Sequence, residues 1–187
     1  MAVVAITKER QGGETRVAAT PDSIRKLIAM GLKVRIESGA GEGASIPDAE
    51  YVAAGATIAK GAAFTIKDAD LLFKVRAPDA AEIAALKKGT IVAALLNPHM
   101  DRNSLDALAK SGAVGIAMEF VPRISRAQSM DALSSQANLA GYRAVIEGAQ
   151  AYGRAMPMMM TAAGTVAAAK VFVMGVGVAG LQAIATA

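Results

Sequence analysis

Short apolar runs, separated by segments that look helical, constrain the fold of this chain more than any other feature. Apolar residues dominate most of these runs without alternating with polar ones, as expected when both faces of a parallel sheet are covered. The runs comprise residues 2–6, 33–37, 71–75, 90–96 and 114–119, and residues 57–59 are a shorter candidate. The pattern predicts a parallel β-sheet rather than a bundle or a sandwich.

The segments between these runs carry helix signals. Thr20, Pro21 and Asp22 supply a hydroxyl cap, a proline at the first turn and an acid at the positive end of the helix dipole, and Gly31 ends that helix. Further helices are predicted over residues 48–54, 79–86 and 101–111. Residues 1–122 are therefore predicted to form one α/β domain, a doubly wound parallel sheet of flavodoxin or Rossmann type.

A glycine-rich segment, Gly39–Ala44, follows the second predicted strand and matches a G-x-G-x-x-A pattern. Pro47 interrupts the helix that a nucleotide-binding turn should open. We interpret the segment as a plain turn between a strand and a helix.

Composition excludes several classes of function. Only 4% of residues are aromatic, and the Lys and Arg residues behind the net charge of +4 are scattered, which argues against a nucleic-acid partner. The chain has no cysteine and one histidine, so disulfides and thiolate zinc sites are impossible and any metal site is improbable. Met1–Ile6 lacks the features of a secretion signal, which indicates a cytoplasmic protein. Val171–Ala187 is apolar and uncharged, but its glycines argue against a membrane span.

A polar loop and a long helix follow Pro122. Either Ser129 or Asp131 can cap the helix, which is predicted to run from Asp131 to about Arg154. Small residues recur every fourth position on it and would let another backbone approach closely. These positions are Ala137, Gly141, Val145 and Ala149.

A second glycine motif lies near Ala187. Residues 156–169 connect to a predicted strand, Lys170–Met174, and a helix is predicted over Leu181–Ala187. Between them lies a G-x-G-x-x-G sequence in the context of a dinucleotide-binding turn. It consists of Gly175, Val176, Gly177, Val178, Ala179 and Gly180. The acid that should receive a ribose hydroxyl about 20 residues further on is not in the sequence. We therefore interpret the chain as a fragment, with residues 156–187 beginning a Rossmann domain.

The stretch Arg123–Ala149 and the second glycine motif closely resemble the NAD(H)-binding domain of proton-translocating nicotinamide nucleotide transhydrogenases. The region from Lys8 to Glu119 also resembles alanine dehydrogenases. The first resemblance implies hydride transfer from NADH, bound here, to NADP⁺ on a partner domain, coupled to proton movement by a separate membrane-spanning domain. It also implies a homodimer that is peripheral to the inner (plasma) membrane through its partner subunits.

The same resemblance assigns roles to single residues. Arg123 is a fork of donors, Gln128 donates and accepts, and Asp131 accepts, so the three suit a carboxamide and a ribose. The resemblance implies that Arg123 and Asp131 hold the nicotinamide end, with Ser134 nearby, and that Gln128 reaches toward the other nucleotide. The cofactor-binding residues of the glycine motif would be Gly175, Gly177, Val178, Ala179 and Gly180. From spacing alone, a simple pairing of Arg123 with Asp131 across the loop is an alternative.

Two other functions stay open. In an alanine dehydrogenase, Arg16 and Lys74 would match the residues that bind the substrate carboxylate. Asn97, rather than His99, falls at the position of the acid–base histidine, so a catalytic role for His99 is not expected. A regulatory NAD-sensing module without chemistry is the third possibility.

Overall fold

The computed structural model describes residues 1–187, which divide into two compact units, Met1–Val121 and Pro122–Ala187. The division falls directly before the predicted polar loop.

The first unit is built on a six-stranded parallel sheet in the order β3-β2-β1-β4-β5-β6. Its strands are β1 Val3–Ile6, β2 Lys33–Glu37, β3 Thr57–Ala59, β4 Leu71–Arg76, β5 Ile91–Leu95 and β6 Val114–Ala117. The chain proceeds outward from β1 to β3, returns beside β1 as β4, and proceeds outward the other way. This order creates a switch point between β1 and β4, and the predicted doubly wound parallel sheet is confirmed.

Five helices cover the sheet: α1 Pro21–Ala29, α2 Asp48–Ala53, α3 Ala62–Ile66, α4 Ala80–Ala84 and α5 Arg102–Lys110. Thr20 caps α1 in a reciprocal capping box with Ser23, and Gly31 follows the helix at φ +83°. The Thr20 cap and the Gly31 stop were both predicted. Helix α3 was not predicted, because it is five residues long and Gly61 offers no side-chain cap.

Apolar residues form two clusters in the first unit. One contains Ile24, Ile36 and Tyr51, and the other contains Leu72 and Val92. Both sheet faces therefore lie against helices, which explains why the strand sequences are apolar at successive positions.

The segment Gly39–Ala44 is a turn that ends in a short 3₁₀ helix, Glu42–Ala44, as the plain-turn interpretation predicted. A Cβ at Gly41 would lie 2.5 Å from the carbonyl oxygen of Ile46, and one at Gly43 would lie 2.8 Å from that of Thr15. These glycines are needed because backbone segments meet there.

The second unit opens with a 3₁₀ segment, Ser125–Met130, followed by the 21-residue helix α6, Ala132–Tyr152. Gly153, at φ +65°, ends α6 two residues before the predicted end. Strands β7 Met159–Thr161 and β8 Gly164–Val166 form an antiparallel hairpin in the stretch predicted to be a plain connection. Helix α7 spans Val178–Thr186.

Three predicted boundaries need correction. No strand forms over Lys170–Met174, because a strand requires a neighbour for its ladder and none pairs with this segment. Helix α7 begins at Val178 rather than Leu181, since Gly177 already acts as its N-cap. Strand β6 stops at Ala117, and a 3₁₀ turn takes Met118–Phe120. No helix combines the length and the apolar character needed to cross a membrane.

Candidate functional site

The polar loop of the second unit is organised by Asp131, the N-cap of α6. Its Oδ1 accepts from the Ser134 backbone N–H at 2.9 Å, and its Oδ2 accepts from the Ser134 hydroxyl at 2.6 Å. The Ser135 hydroxyl donates to the Asp131 carbonyl oxygen at 2.9 Å. Asp131, not Ser129, is thus the cap, because its carboxylate satisfies a free N–H of the first turn.

These hydrogen bonds also set the charge of Asp131. The Ser134 hydroxyl, then the Ser134 backbone N–H and the positive charge of Arg123, hold the pKa of the Asp131 carboxyl below its ordinary value. The carboxylate is therefore an acceptor near neutral pH and cannot readily serve as a general acid.

Arg123 acts on Asp131 through its charge but forms no ion pair with it. The alternative of a simple pair across the loop is therefore not realised, although the helix-capping role of Asp131 is. The exposed Arg123 guanidinium keeps its donors available to a ligand.

A cleft of about 350 Å³ lies between this loop and the second glycine motif. Arg123, Ser134 and Ala137 form one wall, and the motif Gly175–Gly180 contributes most of the other. Leu133 and Met174 complete the lining. Their contribution to the cleft was not predicted, although Leu133 lies one helical turn before Ala137 and shares its face.

Two residues of the predicted site do not line this cleft. Gln128 lies in the 3₁₀ segment with its side chain exposed. Asp131 lies behind Ser134, which it holds in place. The structure therefore brings Arg123, Ser134 and the glycine motif together and leaves Gln128 outside.

The glycine motif folds into a tight turn before α7. Gly175 has φ +108°, and a Cβ at Gly180 would lie 1.9 Å from the Gly175 carbonyl oxygen, so both positions require glycine. The first intrahelical bond that closes the turn runs from the Leu181 N–H to the Gly177 oxygen at 2.9 Å. The N–H groups of Val178, Ala179 and Gly180 thus precede the first helical donor and are suited to an anion.

A second cleft, of about 400 Å³, lies in the first unit at the switch point between β1 and β4. Lys74 lies in it with its side chain 2% exposed. Its Nζ is 3.0 Å from Glu82 Oε1, 3.6 Å from Glu9 Oε2 and 3.2 Å from Thr7 Oγ1. The Lys74 ammonium is therefore matched by two buried carboxylates of the same chain.

Arg16 is held in a similar way by Glu14. Arg16 Nε and Nη2 each donate to Glu14 at 2.7 Å, and Arg76 Nε donates to the same carboxylate at 2.8 Å. The Arg16 hydrogen bond is the largest of the effects that lower the pKa of Glu14 to about 2. The two cations that would bind a substrate carboxylate in an alanine dehydrogenase are thus both paired with glutamates.

His99 is exposed and packs edge-to-face on Phe120, with ring centroids 5.4 Å apart. It does not line the switch-point cleft. Asn97 adopts φ +49°, and its backbone N–H donates to Glu119 at 2.5 Å. These contacts describe a surface loop at the end of β5.

Comparison with known proteins identifies the family. Residues 5–140 match the N-terminal domain, and residues 144–187 the C-terminal domain, of the family described as alanine dehydrogenase/PNT. A chain of the NAD(P) transhydrogenase subunit alpha from Rhodospirillum rubrum is 55% identical over 98% of this chain and 49% of its own length. A crystal structure of transhydrogenase from Sinorhizobium meliloti superposes with a TM-score of 0.95 at 55% identity, covering 98% of this chain and 55% of that one.

The relationship to alanine dehydrogenases is more distant. The alanine dehydrogenase of Mycobacterium tuberculosis is 38% identical over 96% of this chain and 49% of its own length. The chain spans about half the length of these curated relatives. Because both domain models match, the chain belongs to the alanine dehydrogenase/PNT family.

Proposed function

We propose that this chain belongs to the NAD(H)-binding component of a proton-translocating transhydrogenase. It would take part in hydride transfer from NADH to NADP⁺, with NADP(H) on a partner domain and proton movement in a separate membrane-spanning domain. The observation that carries the proposal is the cleft in which Arg123 and Ser134 face the glycine motif. The similarity to the Rhodospirillum rubrum subunit supports it.

The two walls of the cleft suit the two ends of a dinucleotide. The glycine turn and the N-terminus of α7 offer backbone N–H groups to the pyrophosphate. On the other wall, the Arg123 donors and the Ser134 hydroxyl suit the carboxamide and ribose of the nicotinamide end. Asp131 fixes the Ser134 hydroxyl and presents its charge behind it.

The chemistry asks the protein for orientation rather than for proton transfer. NADH supplies a hydride, and direct transfer between two nicotinamide rings releases no proton. An ionised Asp131 with a lowered pKa fits this role, since it binds and positions but does not act as a general acid. Gln128, exposed in the 3₁₀ segment outside the cleft, is placed to contact a second nucleotide.

The proposal extends to organisation and partners. We assign residues 1–122 to an N-terminal α/β domain, 123–155 to the nucleotide-contacting loop and connecting helix, and 156–187 to the start of an NAD-binding domain. The component would work as a homodimer at the cytoplasmic side of the inner (plasma) membrane. It would dock there to the NADP-binding and membrane-spanning domains.

The test is a transfer assay in the complete natural protein, mixed with its NADP-binding partner, NADH and an NADP⁺ analogue. Stopped-flow absorbance should show reduction of the analogue that depends on both proteins. NAD reduction driven by L-alanine instead would favour an alanine dehydrogenase. Binding of NADH without either reaction would favour an NAD-sensing module.

A further inference from the structure

Helices α6 and α7 meet at Gly141 more closely than any side chain would permit. Gly141 is buried in the 21-residue helix α6. A Cβ built on it would lie 2.1 Å from the carbonyl oxygen and 3.0 Å from the Cα of Ala179. Ala179 belongs to the first turn of α7 and lines the nucleotide cleft. The backbone of the glycine motif therefore rests directly on Gly141.

A polar contact joins the same two helices beside this point. Asn138 Nδ2 donates to Gln182 Oε1 at 3.0 Å, and Gln182 Nε2 donates to Thr186 Oγ1 at 3.0 Å. Asn138 lies one turn before Gly141 on α6, and Gln182 lies one turn after Ala179 on α7. The bond fixes the rotation of α7 about the Gly141 contact, because it acts away from the point where the backbones touch.

The position of Gly141 gives this junction its importance for the cleft. Ser134, on the opposite wall of the cleft, lies on the same helix as Gly141, two turns earlier, which is roughly 10 Å along the axis. A rigid helix thus carries the Ser134 wall at one point and supports the glycine wall at another. The depth at which α7 sits on Gly141 sets the distance between the two walls.

We propose that Gly141, with the Asn138–Gln182 hydrogen bond, is a positioning device that sets the span of the dinucleotide site. This inference rests on the proposed function. Gly141 touches no nucleotide itself. It matches the separation of the glycine motif from Arg123 and Ser134 to the length of NAD(H) between its pyrophosphate and its nicotinamide.

The test is Gly141→Ala in the complete natural protein, with NADH and ADP as two probes of different length. The 2.1 Å separation must open to at least 3.0 Å, so α7 has to shift by about 1 Å. NADH bridges both walls, and its dissociation constant should rise at least tenfold. ADP ends at the pyrophosphate and moves with α7, so its dissociation constant should change less than threefold.

Gly148→Ala is the matched control, because Gly148 lies on the same helix and a Cβ there meets nothing within 4 Å. It should leave the affinities for both nucleotides unchanged. Equal weakening of NADH and ADP by Gly141→Ala would mean general damage to the fold and would overturn the proposal, as would no change in either. If the unaltered protein does not bind NADH, the proposed function itself is wrong.

A milder pair of variants tests the device if Gly141→Ala unfolds the protein. Asn138→Ala and Gln182→Ala each remove the same hydrogen bond, so each should weaken NADH about two- to threefold. The double variant should be no weaker than either single one, since only one interaction is lost. Additive losses, or none, would contradict the role of the bond.

Discussion

At the scale of single residues, Gln128 provides the sharpest test of the proposed division of labour. It is uncharged, exposed and outside the cleft that contains Arg123 and Ser134. Gln128→Asn should slow hydride transfer at least tenfold, because a misplacement of about 1 Å can cost ~100-fold in such a step. NADH affinity should change little. Stopped-flow transfer and NADH titration measure the two effects separately.

Arg123→Ala and Asp131→Asn serve as the contrasting variants. Both should weaken NADH binding as well as transfer, because they alter the wall of the cleft or the charge behind it. Asparagine still caps a helix, so Asp131→Asn should leave α6 intact. A Gln128→Asn protein that loses NADH affinity as severely as Arg123→Ala would show that the roles are wrongly divided.

Glu14 gives a residue-scale prediction about pH. Its pKa falls from 4.5 in the unfolded chain to about 2 in the folded protein, first through the hydrogen bond from Arg16. A depressed carboxyl pKa contributes stability that is fully present above the unfolded value and is lost as pH falls toward the folded value. Urea unfolding between pH 5 and pH 2.5 should therefore show a decline in stability that is shallower in Glu14→Gln. Identical slopes in the two proteins would refute the assignment.

At the scale of elements, the charge cluster at the end of β4 decides how that strand tolerates change. Lys74→Met would leave the buried carboxylates of Glu9 and Glu82 without their cation. Removal of one partner of a buried pair typically destabilises by about 3–5 kcal/mol. We expect a loss of that size in the free energy of unfolding, measured by urea denaturation.

The double variant Lys74→Met with Glu82→Gln provides the control for this cluster. It removes one of the orphaned charges, so its total loss should be smaller than the sum of the two single losses. Additivity would mean that Lys74 and Glu82 do not interact in solution, despite their 3.0 Å separation.

Helix α6 carries a prediction of the opposite sign. Gly148 lies in the interior of the helix, with open space around its Cα. Alanine is preferred to glycine in a helix interior by about 0.8–1.0 kcal/mol. Gly148→Ala should therefore raise the free energy of unfolding by up to that amount, whereas Gly141→Ala should lower it. Thermal unfolding of the two variants side by side distinguishes the two environments of one residue type on one helix.

At the scale of the whole molecule, the family contains two activities, and the switch-point cleft distinguishes between them. Arg16 and Lys74 are held by glutamates, and Asn97 stands where the acid–base histidine of an alanine dehydrogenase would align. We expect the complete natural protein not to oxidise L-alanine. Robust alanine-dependent reduction of NAD that His99→Ala abolishes would overturn the transhydrogenase proposal.

The sequence alone determined the doubly wound sheet, the cap at Asp131 and the glycine turn before α7, because each depends on residues close together in the chain. Tertiary structure decided the rest. Lys74 and Glu9 are 65 positions apart, and Gly141 and Ala179 are 38 apart, so no local pattern could show that they meet. The strand expected over Lys170–Met174 failed for the same reason, since a strand exists only where another segment pairs with it. Local chemistry thus set the elements, and the packing of distant segments set their charges, their spacing and the shape of the cleft.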